Sequence, residues 1–162
     1  MLLTTYTIFH VVISLAGIFT GFVVLFGLLT GQRLDGWTPI FLATTVATSV
    51  TGFFFPVQRF LPSHAVGILS LLVLSVAIYA RYARHLTGAW RKVYVLSAVS
   101  ALYLNVFVGI VQAFLKIGPL KAITPTQTET PFKLAQLTVL VLFVAVAIAG
   151  AIRFRKEPVL TD

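Results

Sequence analysis

Uncharged apolar runs of about twenty residues alternate along the chain with short polar or basic segments, and each run is long enough to cross a hydrocarbon core of about 30 Å as a helix. The first run covers 5–29 and is separated by the polar turn Gly31-Gln32-Arg33-Leu34-Asp35-Gly36 from the second, 37–55. Pro39 falls in the first turn of that second helix, where a missing N–H is harmless. Pro56 to Pro62 form a short connection containing Arg59, and the third run, 64–82, leads into a basic loop with Arg81, Arg84, His85, Arg91 and Lys92. The fourth run is 93–115 and the fifth 134–152, with the longest loop, 116–133, between them. Its polar stretch Thr-Pro-Thr-Gln-Thr-Glu-Thr-Pro, 124–131, rules out a regular helix throughout, and its length suits a segment folded over one end of a bundle. The pattern predicts an all-α polytopic membrane bundle of five transmembrane helices, a single domain spanning 1–162.

Composition agrees: 59% of residues are hydrophobic and 10% charged, with a mean hydropathy of +1.01, where a soluble domain carries roughly 25% charged residues. The net charge of +8 would suggest nucleic acid in a soluble protein. Here the Lys and Arg lie between apolar runs, where they anchor the chain and meet anionic lipid, so no nucleic-acid partner is expected. With five crossings, Arg59, Lys116, Lys121 and Lys133 share one side, and Arg33, Arg81, Arg84, Arg91, Lys92, Arg153, Arg155 and Lys156 share the other. The excess on the second side predicts that it is cytoplasmic, giving an N-out, C-in topology. Arg81, Arg84, Arg91 and Lys92 are the candidate contacts for anionic headgroups. The first run is too long for a signal-peptide core and lacks a charged leader, so it is expected to remain as the first span.

The candidate chemistry is polar and uncharged. No cysteine is present, and none of the four acids, Asp35, Glu129, Glu157 and Asp162, lies within an apolar run. Thiol chemistry, thiolate metal sites and proton relays on buried carboxylates therefore have no material. The first span places His10, Ser14, Gly17 and Gly21 on one helical stripe, and the fourth places Ala98, Ala101, Asn105, Gly109, Gln112 and Lys116 on another. Small residues on such stripes let helices approach closely in lipid. The second span carries Thr44, Thr48 and Thr51 on one line, and hydroxyls of this kind usually bond their own backbone.

Sorted by depth, His10, Thr51, His64, Gln112 and Lys116 fall in the outer half, Asn105 near mid-span, and Gln127 and Glu129 on the loop above. If the two stripes face each other, these groups line an outward-opening ligand pocket.

Three functional classes compete. One is a binding or accessory subunit of a larger membrane complex, or of a homo-oligomer, rather than an enzyme, since no metal-ligand cluster or activated nucleophile is present. Another is a redox protein holding haem b or a quinone, for which His10 and His64 form the single histidine pair on one side; no other metal site is expected. The last is a small-solute transporter acting as an oligomer, although no intramembrane charge or inverted repeat supports it.

The segments Thr51-Gly52-Phe53-Phe54-Phe55-Pro56, Pro62-Ser63-His64, Tyr103-Leu104-Asn105-Val106-Phe107-Val108, Gln112-Ala113-Phe114-Leu115-Lys116 and Pro125 to Phe132 resemble a group of small multi-pass inner-membrane proteins of bacteria. The resemblance implies a bacterial cytoplasmic membrane and carries no activity.

Overall fold

The computed structural model describes residues 2–56 and 62–154, all of them helix, turn or coil with no strand. Helix α1 is Leu2–Thr30, α2 Trp37–Gly52, α3 Pro62–Ile78, α4 Trp90–Lys116, α5 Gly118–Ile123 and α6 Thr130–Arg153. A π-helical turn, Tyr79–Ala83, prolongs α3. Arg59, Arg155 and Lys156, which entered the charge comparison, lie outside the described residues, as does most of the Pro56 to Pro62 connection.

The four helical segments Leu2–Thr30, Pro62–Ala83, Trp90–Lys116 and Thr130–Arg153 are long and apolar enough to cross a membrane. Helix α2 has 16 residues, about 24 Å at 1.5 Å per residue, and is shorter than the run at 37–55 implies. Its end has a local cause. Pro56 disfavours helical backbone at the residue before it, and the chain turns at Phe53 and Phe54, whose N–H groups donate to Val50 and Thr51 carbonyls. The long loop also departs from expectation, because its first residues form α5. Pro119 sits at the start of that helix, where its fixed φ favours helix initiation, and Pro125 prevents continuation.

Successive long helices run antiparallel. Helices α1 to α4 form a ring, each packed on the next and α4 closing on α1, while α6 lies outside against α4 and α1. The ring is dense at one end. There Phe41, Leu74, Tyr94, Val95 and Leu102 are each under 2% exposed, and Gly150 of α6 brings its backbone against Val95 and Leu28. At the other end the inward positions are small or polar, including Gly52, Gly67, Gly109, Ser14, Ser49 and Ser70, and the helices leave space. One bundle is thus a packed core in one half and a cavity in the other.

The dense end also gathers the basic residues. Arg81 is 6% exposed; its guanidinium donates to Asp35 and stands 5.4 Å from the Tyr94 ring centroid. The expectation of a headgroup contact at Arg81 is corrected here, because this side chain is committed inside the protein. The wider π turn shifts the register after Ile78, which a uniform 3.6-residue period does not foresee. Arg84 lies 5.3 Å from the Trp90 ring, while Arg91 is half-buried and Lys92 exposed.

Candidate functional site

The cavity occupies about 600 Å³, within the range of small-molecule sites. Helix α1 contributes Thr7, His10, Ser14 and Ile18; α2 contributes Thr48, Ser49 and Gly52; Phe53 and Phe55 follow from the turn after α2. Helix α3 adds Ser63, His64, Gly67 and Ser70, and α4 adds Asn105, Gly109, Gln112 and Lys116. The stripes of α1 and α4 do face each other. Five residues singled out from the sequence, His10, His64, Asn105, Gln112 and Lys116, therefore border a single space. Thr51 stands directly behind one of them.

His10 is held by two contacts. Its Nδ1 is 2.8 Å from Thr51 Oγ1, and its ring meets Phe55 edge-on at 5.1 Å. Thr51 Oγ1 donates to the Ala47 carbonyl at 2.6 Å, so its hydrogen is committed and the oxygen accepts from His10. Neutral His10 then carries its proton on Nδ1, leaving Nε2 as an acceptor. Tyr6 donates to the Thr51 carbonyl at 2.5 Å and clamps the ends of α1 and α2 together. On the opposite wall, Phe53 stacks on His64 with centroids 5.6 Å apart and planes 18° apart, and packs against the bare backbone of Gly67.

The deeper end of the cavity is polar but uncharged. Asn105, 8% exposed, reaches from the middle of α4 toward the Ser14 carbonyl, with Nδ2 to O at 3.5 Å, the outer limit of a hydrogen bond. It fits because Gly17 lacks a side chain: a Cβ there would stand 3.1 Å from Asn105 Nδ2. Ser49 and Ser70 join α2 to α3 at 3.0 Å. The hydroxyls of Thr44, Thr45, Ser49 and Thr51 each bond a carbonyl one turn back. That of Thr48, also buried, has no partner.

The loop does not cover this space. Gln127 Nε2 donates to the Val111 carbonyl at 3.0 Å, and neither Gln127 nor Glu129 lines the cavity. Glu129 accepts from Thr126 Oγ1 at 2.7 Å and from the amides of Thr126 and Thr128 at 3.0 Å. Slight desolvation raises its pKa, and these hydrogen bonds outweigh it, so the carboxyl titrates below its ordinary value. A depressed folded pKa stabilises the loop above the unfolded value and loses that contribution as pH falls through the folded one. The protection factors of the amides at 124–129, their exchange rates relative to intrinsic exchange at the same pH, are therefore expected to be constant from pH 8 to 6 and to fall only in acid below 4.5, the ordinary value; loss of protection near neutrality would contradict this staple.

Three features were not legible in the sequence: the unpartnered Thr48 hydroxyl, the aromatic walls Phe53 and Phe55, and the ion pair of Arg81. For the last a signal existed, since Asp35 and Arg81 fall on the same side of the expected bundle.

No protein-family model, curated protein or solved structure matches the chain. The site is read from its own geometry. Among the described residues, no group of three or more His, Asp or Glu side chains could hold a metal ion.

Proposed function

We propose that the protein is an integral membrane binding subunit, with α2 as a fifth crossing beside α1, whose cavity takes a small amphipathic molecule. The carrying observation is the space of about 600 Å³ with helical walls rich in glycine, serine and aromatic residues and polar groups at defined depths. The course of α2 supports the topology. Phe41 lies at the level of Gly21 and Thr51 at that of His10, so α2 accompanies α1 for most of its length. The basic dense end faces the cytoplasm in this reading, and Lys92 with Arg91 meets anionic headgroups. A bacterial cytoplasmic membrane is the expected location. The long apolar outer faces of α1 and α6 are covered by lipid or by neighbouring subunits of a larger complex or homo-oligomer, which native mass in mild detergent would resolve.

Gly109 offers a direct test. A Cβ there would meet only Ile18 Cδ1, at an ordinary 3.5 Å, so Gly109→Phe fills the cavity without displacing the wall. Single-chain alkyl carboxylates, alcohols and quinones are expected to include ligands that raise the thermal midpoint of the wild-type protein. At a hundredfold excess over Kd the stabilisation is about 2.7 kcal/mol, and in Gly109→Phe it disappears while the unliganded midpoint is kept. Equal stabilisation of the filled variant would move the site elsewhere, and no response from any class would overturn the reading. The optical spectrum of the same sample tests haem independently, since a Soret band would assign the cavity to a porphyrin between His10 and His64.

A further inference from the structure

We propose that the ligand is a single-chain amphiphile with an anionic head, bound with the head at Lys116 and Gln112 in the mouth and the tail lying between α1 and α4 toward Asn105. This rests on the cavity being a ligand site and names the chemical class of its occupant.

Charge at the mouth is of one sign. The ionisable side chains that border the cavity, Lys116, His10 and His64, are all basic, and no acid lines it. Lys116 stands close enough for the field of its ammonium to act on the His10 imidazole, and among the described residues no carboxylate lies within ion-pair distance of it. The described acids are committed elsewhere: Asp35 to Arg81 at the dense end, and Glu129 to the amides and hydroxyl of its own turn. Gln112 lies one turn deeper than Lys116 on the same face of α4, so its amide supplies a second donor beside the ammonium, and an anion accepts strongly from such donors. The Nδ1 of His10 is engaged by Thr51 and its Nε2 is an acceptor in the neutral ring, so the head is assigned to α4 and not to the imidazole.

Dimensions select one chain. The cavity follows α1 from Thr7 to Ile18 and α4 from Lys116 back to Asn105, eleven residue steps on each helix, or about 16 Å at 1.5 Å per residue. Half of a hydrocarbon core of about 30 Å is ~15 Å, the depth that an acyl chain of one leaflet fills. The volume of about 600 Å³ accommodates on the order of twenty heavy atoms, at the roughly 30 Å³ that each water molecule takes up in the liquid. One acyl chain with a small head fits that space, and a two-chain phospholipid does not. The wall suits a tail as well. Ser14 and Ser49 direct their hydroxyls at carbonyls one turn back, and Ser49 also meets Ser70, so the inward surface between the two ends is mainly apolar.

Equilibrium binding in an uncharged maltoside detergent at pH 8, where a carboxylate is ionised, compares dodecanoate with dodecanol and dodecyltrimethylammonium. Specific binding is the part lost in Gly109→Phe. The wild-type protein is expected to prefer the carboxylate to either of the others at least threefold. Lys116→Gln should weaken the carboxylate about threefold to tenfold, to the level of the alcohol, and Lys116→Glu should reverse the order so that the ammonium binds best. Lys116 is exposed at the last position of α4, so both variants fold, and their unliganded thermal midpoints provide the check. An alcohol or ammonium bound as tightly as the carboxylate, or a carboxylate preference that survives both substitutions, would overturn the anionic assignment and leave the cavity reading standing. Displacement of dodecanoate by an equal amount of phosphatidylglycerol would overturn the single chain. Binding that Gly109→Phe does not reduce, or no binding by any of the three, would remove both readings.

Discussion

Replacing Asp35 with alanine is expected to destabilise the protein more than replacing its partner Arg81 with methionine. The usual intuition for an ion pair is symmetry, since either substitution removes the same bond. Here burial is unequal: the Arg81 side chain is 5% exposed and that of Asp35 71%. Without Asp35 the guanidinium stays inside the dense end, where the described residues offer it the rings of Tyr94 and Tyr82 and no other carboxylate. Breaking a wholly buried pair in this way costs roughly 3–5 kcal/mol. Water already reaches the Asp35 carboxylate and weakens the attraction, so a loss of about 2–3 kcal/mol is expected. Arg81→Met removes the buried charge itself and leaves a carboxylate that solvent can hydrate. Methionine retains much of the apolar stem, and such a volume-conserving change costs below about 1.5 kcal/mol. The double variant should then match Arg81→Met alone. Unfolding midpoints in a denaturing-detergent titration decide the matter, and equal losses for the two single variants would show that the pair is not organised by burial.

The same residue shows why some of the structure was legible in the sequence and some was not. Hydropathy reports where along a helix axis a residue lies, and those expectations correspond to the helices α1, α3, α4 and α6 within a few residues at each end. Depth sorting also selected His10, His64, Asn105, Gln112 and Lys116, which share both a depth range and an inward face. What depth omits is direction around the helix. Gln127 and Glu129 sit at the mouth end, yet Gln127 bonds the carbonyl of Val111, a residue that does not line the cavity, whereas Gln112 does. One residue along an α-helix is a rotation of about 100°. Arg81 fails for a related reason, because the π turn alters the rotation and carries a residue of the basic loop inward. Thr48 shares its helix line with hydroxyls that bond their own backbone, and nothing in its spacing distinguishes it from them.

The glycines of the two facing stripes give the second large effect, because sequence treats them as one motif and the structure divides them. Gly21→Ala is expected to be strongly destabilising and Gly109→Ala neutral or stabilising. A Cβ on Gly21 would lie 2.5 Å from Leu102 Cδ1 and 2.9 Å from the Phe41 ring. Both neighbours are 1% exposed, so neither can retreat without moving the core around Tyr94. Overpacking of this kind costs about 1–3 kcal/mol, and the upper end applies where the obstructing ring is enclosed on every side. Gly109 borders the cavity, and its Cβ would make only an ordinary 3.5 Å contact with Ile18. There the substitution removes a glycine from a helix interior, worth up to about 1 kcal/mol in water. The difference in unfolding midpoint between the two variants therefore reports where the bundle is closed and where it is open. Equal losses would mean that the mouth half is packed as tightly as the dense half, leaving no space for a ligand.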